Sequence, residues 1–219
     1  MVDGILFIDK PAQMTSFGVV ARVRRVLTQQ QGKKVKVGHT GTLDPFATGL
    51  MIIVVGKECK NAESYSKLDK VYEATVRLGA TSTTGDPEGD ITRTGDNVPT
   101  VEQVQVALAT FTGEITQTPP IYSAIKIDGQ RAYNLARAGK SVVMPQRQVT
   151  VFSLELVDYA YPDVRIRTHV SSGTYIRTLA GDIGEHLKTG AYCIQLRRTK
   201  IADWDVTDAQ TLAQFGVND

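Results

Sequence analysis

The sequence predicts an α+β fold, and three observations carry it. Segments with strand and helix patterns are interspersed without the regular alternation of a βαβ repeat. No internal repeat, low-complexity tract or linker divides the 219 residues, a length that suits one substantial domain. A hydrophobic fraction of 42% beside 22% charged residues is that of an ordinary globular chain. A single domain over residues 1–219 is the expectation.

Taken in order, Gly4–Ile8 reads as a buried strand closed by Asp9-Lys10-Pro11. Thr15 or Ser16 can cap a helix whose apolar stripe is Val19, Val20, Val23, Val26 and Leu27. Lys33–Lys36 leads through a short strand into the Gly-rich loop Gly38–Gly49, and Leu50–Val55 is a second buried strand. Lys70–Leu78 alternates as a strand does, and Thr81–Gly95, rich in Thr, Gly and Asp, reads as a loop. Thr100 with Gln103 forms a capping-box pattern that opens a helix over Val101–Phe111. After Thr118-Pro-Pro120 come a strand over Tyr122–Ile127 and a short helix over Gln130–Arg137, stopped by Gly139. Val149–Val157 and Val164–Ser171 are strands. Ile176, Leu179, Ala180, Ile183 and Leu187 recur at helical spacing from Thr174 onward. Ala191–Arg198 is strand-like, and Thr207 can cap a last short helix over Thr207–Phe215.

Composition excludes several classes of function. No apolar run approaches the ~20 residues of a membrane span, and Ile5–Ile8 is too short for a signal peptide. A cytoplasmic protein with no membrane partner is expected. Cys59 and Cys193 form no CxxC pair and read as reduced thiols. His39, His169 and His186 lack metal-ligand spacing, so neither a structural zinc nor a catalytic metal is expected. The net charge is only +2, but its distribution is uneven. Arg22, Arg24, Arg25, Lys33, Lys34 and Lys36 share their stretch with no acid. Lys126, Arg131, Arg137, Lys140 and Arg147 share theirs with Asp128 alone, while Asp86, Glu88, Asp90 and Asp96 gather elsewhere. Such segments suit a polyanion groove, although a solvated charged face would look the same.

The chemistry concentrates in Gly38-His-Thr-Gly-Thr-Leu-Asp44-Pro-Phe-Ala-Thr-Gly49. Its glycines permit backbone turns or close approaches that a side chain would block. Asp44 is its one acid, and Pro45 pushes Asp44 toward extended backbone, narrowing the directions of its carboxylate. The loop lacks the GxxxxGK[ST] pattern of a phosphate cradle, and Asp-Pro by itself is also a common turn dipeptide.

This segment resembles the signature of the TruB family of tRNA pseudouridine synthases. The likeness continues along nearly the whole chain in the right order. Gly4–Pro11 with Met14-Thr-Ser16, Lys70-Val-Tyr72 running to Leu78-Gly79, and Thr83–Gly89 each resemble a family segment. So do Thr118–Tyr133, Ser172–Leu179 and Leu196-Arg-Arg-Thr199. The resemblance implies a mixed, largely antiparallel pseudouridine-synthase-like sheet flanked by helices, with an RNA-gripping insertion at about 118–147. It implies isomerisation of uridine to pseudouridine at position 55 of the tRNA T-loop, with no cofactor. Asp44 is then the catalytic carboxylate and Arg177 the cation that keeps it ionised. Arg177 also sits in the first turn of a predicted helix, where the dipole favours an anion. Tyr72 resembles the tyrosine stacked on the flipped uracil, and Tyr175 and Leu196 resemble residues lining its pocket. His39 resembles a residue that meets the RNA where the uridine has left its stack. Lys10 reads as structural or as phosphate-facing.

The family's turn usually carries Gly where this chain has Gln13, and an acid near Gly18. Many members carry a C-terminal RNA-binding (PUA) domain, whereas this chain stops fifteen residues after Trp204, so a form without that domain is expected. The expected partner is the T-arm stem-loop of tRNA, bound by a monomer with no obligate protein partner. A guide-RNA-dependent synthase of the Cbf5 kind, and an RNA-binding or folding module with secondary catalysis, are the rival readings.

Overall fold

The computed structural model describes residues 3–123, 125–127, 129–139 and 142–217; Ala124, Asp128 and Lys140, which belong to the motifs above, lie outside the described residues. In chain order the elements are β1 (Gly4–Lys10), α1 (Ser16–Gln31), β2 (Val37–His39), β3 (Thr48–Val55), α2 (Ala62–Ser66), β4 (Lys70–Leu78), β5 (Ala80–Ser82) and β6 (Ile91–Arg93). There follow α3 (Val101–Thr110), β7 (Gly113–Gln117), β8 (Lys126–Ile127), β9 (Gln130–Arg131), α4 (Ala132–Arg137), β10 (Arg147–Ala160) and β11 (Asp163–Val170). Helix α5 (Ile176–His186) and strands β12 (Ala191–Ile201), β13 (Trp204–Asp205) and β14 (Gln210–Thr211) complete the chain. The chain divides into two compact units, Met1–Tyr72 with Leu196–Asp219, and Glu73–Gln195.

In the first unit β1 lies between β14, which is parallel to it, and β3, which is antiparallel. Strand β3 also takes β2 in antiparallel register and the end of β12 in parallel, Thr48 opposite Arg197. All of Leu50–Val55 is buried, as expected for a strand covered on both faces. Leu50, Ile52 and Ile201 form a core against Ile5, Phe7, Tyr65, Leu68 and Trp204. Helix α1 buries Val19, Val20, Val23, Val26 and Leu27, the stripe that its 3.6-residue period predicts. Thr15 caps it, its hydroxyl accepting from the Gly18 N–H at 3.0 Å, and Gly32 in the left-handed region ends it.

In the second unit the strand order is β4, β11, β10, β7, with β10 antiparallel to both its neighbours. Helix α3 opens on the complete capping box of Thr100 and Gln103 and buries Val104, Ala107 and Leu108. Helix α5 buries Leu179, Ala180 and Ile183. The α+β reading and the mixed, largely antiparallel pairing hold.

Three local expectations are corrected. Residues 81–95 are not all loop: β5 and β6 pair as a ribbon, Ser82 opposite Ile91, because the threonines and Ile91 supply short β-prone flanks to a Gly- and Asp-rich tip. Among the described residues of Tyr122–Ile127 only Lys126–Ile127 pairs as a strand, with Gln130–Arg131, and the helix that follows starts at Ala132. Thr207 does not open a helix over Thr207–Phe215. Val206–Asp208 is a 3-10 turn, and Gln210–Thr211 is extended as β14. The reciprocal side-chain bonds of a cap form between Thr211 and Gln214, around a single turn that ends at Gly216. Strand β7 carried no recognised sequence signal.

Candidate active site

The Asp44 loop connects β2 to β3 in the first unit, and three buried polar side chains grip its backbone. The Ser16 hydroxyl accepts from the Leu43 N–H at 2.8 Å and donates to the Leu43 carbonyl at 2.9 Å. Lys10, fully buried, donates to the carbonyls of Pro45 (3.1 Å), Met14 (2.6 Å) and Pro11 (2.9 Å). Arg198, also buried, donates to the carbonyls of Gly41 (3.2 Å) and Leu50 (2.7 Å). Residues on both sides of Asp44 are thus tied down, and buried Leu43 and Ala47 anchor the loop from within. Asp44 itself is half-buried, and its carbonyl closes the turn by accepting from the Ala47 N–H at 3.1 Å. Gly49 is required here: its φ is 110°, and a Cβ would come within 2.3 Å of the Arg198 carbonyl oxygen. Of the two readings open for Lys10, its full burial and three backbone-carbonyl bonds favour the structural one.

His39 ends β2 opposite Ile53, half-buried. Tyr72 lies on β4 and Leu196 on β12, each buried to 8% exposure. Lys70, two residues before Tyr72, is another buried lysine, bonded to the Ser66 carbonyl at 2.7 Å and to the Leu68 carbonyl. Burial, with Arg198 nearby, pushes its ammonium down to about 8. Four of the six predicted site residues, His39, Asp44, Tyr72 and Leu196, are therefore carried by the first unit.

Tyr175 and Arg177 are carried by the second. Tyr175 is the N-cap residue of α5, and Gln117 at the end of β7 grips its backbone twice. The Gln117 side-chain oxygen accepts from the Tyr175 N–H at 3.0 Å, and its amide donates to the Tyr175 carbonyl at 3.3 Å. The Arg147 guanidinium lies 5.6 Å from the centre of the Tyr175 ring, a cation–π contact. Arg177 stands in the first turn of α5, as the sequence predicts, and is 4% exposed. Its guanidinium donates to the carbonyls of Thr84 (2.6 Å) and Tyr122 (2.9 Å) and pairs with Asp86 at 3.2 Å.

Asp86, counted in the sequence only among the acids that gather away from the basic segments, is 3% exposed. Its carboxylate also accepts from the Thr84 hydroxyl at 2.5 Å and the Glu88 N–H at 3.0 Å. The signal available was its setting in Thr83–Gly89 between two glycines. Gly85 has a φ of 73°, and a Cβ there would meet the Arg177 side chain at 3.4 Å. Ser16, Gln117 and Arg198 were the other residues whose positioning roles sequence reasoning missed.

The first unit presents an acid on a Gly-rich loop whose backbone is held on both sides, and the second an arginine held in a buried ion pair at a helix start. Among the described residues no three His, Cys, Asp or Glu side chains gather to hold a metal ion.

Comparison with known proteins agrees with this description. The profile of the TruB family pseudouridylate synthase N-terminal domain matches residues 24–176, and that of the tRNA pseudouridylate synthase B C-terminal domain matches residues 177–217. The chain is 44% identical to the tRNA pseudouridine synthase B of Corynebacterium jeikeium (strain K411), over 97% of its own length and 70% of the relative's. It is 47% identical to that of Burkholderia mallei (strain NCTC 10247), over 96% and 68%. Among solved structures it resembles a chain of a Cbf5–Nop10–Gar1 complex, with a TM-score of 0.73 and 29% identity, over 96% of this chain and 52% of that one. A chain of an H/ACA RNP bound to a substrate RNA containing 2′-deoxyuridine matches with a TM-score of 0.70 and 26% identity, over 96% and 51%. The protein thus spans about half the length of those two solved chains.

Proposed function

The chain belongs to the TruB family of pseudouridylate synthases, and from that premise we propose that it isomerises uridine to pseudouridine at position 55 in the T-loop of tRNA. The observation that carries the reading is the Asp44 loop. A single acid stands between Leu43 and Pro45, both held by buried side chains, so the backbone that carries its carboxylate is fixed before substrate arrives.

The reaction breaks the bond between ribose C1′ and uracil N1, turns the base and joins C1′ to C5. The C5 proton leaves and N1 ends protonated, so atoms balance with no outside group and no redox partner. Asp44 serves as nucleophile at the sugar or as base for a ribose proton. The family resemblance assigns Arg177 to keeping Asp44 ionised, Tyr72 to stacking on the extruded uracil, and Tyr175 and Leu196 to lining the pocket of that base. His39 meets the RNA where the uridine has left its stack. Extrusion costs a few kcal/mol, which phosphate contacts from the Arg22–Lys36 and Lys126–Arg147 segments offset.

The protein acts alone, as a monomer, on a cytoplasmic substrate; no helix of the described residues is long and apolar enough to cross a membrane. Relatives named for tRNA, at 44–47% identity, favour this over the guide-dependent reading, to which the chain of the Cbf5–Nop10–Gar1 complex lends support at only 29%. The test is mass spectrometry of unmodified tRNA incubated with the pure protein and nothing else. One new pseudouridine in the T-loop is expected. Asp44→Asn should abolish it while RNA affinity stays within about tenfold, roughly 1.4 kcal/mol. Conversion that requires an added guide RNA, or that persists in Asp44→Asn, overturns the reading.

A further inference from the structure

The first turn of α1 carries a side chain that neither the core nor the reaction has used. Phe17 is 66% exposed, while its neighbour Ser16 is buried against the Asp44 loop. A lone exposed aromatic is unremarkable on a protein surface, but three features set this one apart.

The first is its partner. The Arg24 guanidinium lies 6.0 Å from the centre of the Phe17 ring, seven residues along the same helix face. Its NH2 group donates to the Val37 carbonyl at 3.0 Å. The guanidinium is thus fixed beside the ring, leaving most of the aromatic surface open. The second is charge. Between Asp9 and Asp44 the sequence holds no acid, and α1 carries Arg22, Arg24 and Arg25. This face complements a phosphodiester chain and offers a protein partner's basic residues no counter-charge. The third is place. Phe17 follows Ser16 in the chain, Ser16 holds both backbone groups of Leu43, and Asp44 follows Leu43. The backbone that carries Phe17 is thus tied through one side chain to the residue before Asp44.

We propose that Phe17, backed by Arg24, is a stacking platform for an unstacked nucleotide of the substrate RNA next to the target uridine. The inference rests on the RNA-modifying reading given above. An aromatic face fits any base, and a fixed guanidinium beside it suits the adjoining phosphate. The platform would hold the strand in register once the target uridine has been extruded, and would be felt in binding rather than in chemistry.

The test compares Phe17→Ala, Phe17→Leu and Phe17→Trp on a T-arm stem-loop RNA at fixed ionic strength, measuring kcat, KM and, in parallel, equilibrium binding. Because the ring is exposed, all three variants should fold with a Tm close to that of the parent. Phe17→Ala and Phe17→Leu should each weaken binding and raise KM by about 5- to 100-fold, with kcat within about threefold, and Phe17→Trp should restore both. Stem-loops with a single abasic nucleotide flanking the target identify the stacked base. At one position the Phe17→Ala effect should disappear. Unchanged binding in Phe17→Ala, full recovery by Phe17→Leu, or no abasic position that couples would each overturn the platform. The parent protein separates the two ideas. If it forms no pseudouridine the functional reading falls, and the binding series still decides the platform. If it turns over normally while the variants match it, the platform alone falls.

Discussion

The Ser16 hydroxyl satisfies both backbone polar groups of Leu43, accepting at 2.8 Å and donating at 2.9 Å across 27 residues of sequence. One side chain thereby fixes the peptide that leads into Asp44. Leu43 is 3% exposed, so Ser16→Ala leaves a buried N–H and C=O with no protein partner, each costing about 1–3 kcal/mol. A stability loss of about 2–3 kcal/mol is expected, with kcat lowered tenfold or more and KM nearly unchanged. Chemical denaturation and single-turnover rates measure the two effects. A parental rate in a destabilised Ser16→Ala would mean that Asp44 is aimed by something else.

Arg177 and Asp86 form a pair with side chains only 3% and 5% exposed. Arg177→Met alone strands a buried carboxylate and should cost about 3–5 kcal/mol of stability as well as turnover. Replacing both, as Arg177→Met with Asp86→Leu, removes the stranded charge and should recover most of the stability. Turnover should not return if the guanidinium is needed by the chemistry. Recovery of the rate in the double variant would reduce Arg177 to a structural role.

What the sequence made legible, and what it hid, follows from the range of each interaction. The stripe Val19–Leu27 and the Thr100–Gln103 box are local patterns with a fixed period, and both were found as expected. The Asp44 loop was legible as a Gly-rich stretch between two strands, which is where it lies. The clamps were not: Ser16 to Leu43, Gln117 to Tyr175 and Arg198 to Gly41 join residues 27, 58 and 157 positions apart, and a polar side chain bonded to distant backbone leaves no periodic trace. The role of Asp86 was not legible because acids near Gly and Thr are ordinarily solvated; its burial is made tolerable by Arg177, Thr84 and the Glu88 N–H. The last helix failed for a local reason. Thr207 has a capping residue's chemistry, yet it lies within the 3-10 turn Val206–Asp208, and the cap forms four residues later at Thr211.

Gln13 adopts a φ of 60°, in the left-handed region that costs a residue with a Cβ about 1–2 kcal/mol. This explains why glycine suits the position. Gln13→Gly should stabilise the protein by about 0.5–1 kcal/mol, the relieved strain less the greater freedom of glycine in the unfolded chain. The turn precedes Met14, whose carbonyl receives Lys10, so turnover should be maintained. Thermal denaturation measures the gain, and a loss of stability would show that the Gln13 side chain makes compensating contacts.

Asp182 supplies a test in which pH sets the sign. Burial, with Glu185 nearby on α5, pushes its carboxyl from 3.8 up to about 6. Between those values the folded state binds more protons than the unfolded state, so stability falls as pH rises through the interval. The penalty is absent below about 3.8 and complete above about 6. Asp182→Asn carries no such charge and should be more stable than the parent at pH 7.5 by about 1–2 kcal/mol, after allowing for screening by solvent. At pH 3.5, where the folded parent is protonated at this position and the unfolded parent mostly so, the advantage should nearly vanish. Urea denaturation of both proteins at pH 7.5, 5.0 and 3.5 reads the difference. A gap that stays constant across the three pH values would assign it to packing of the amide instead of to the buried charge.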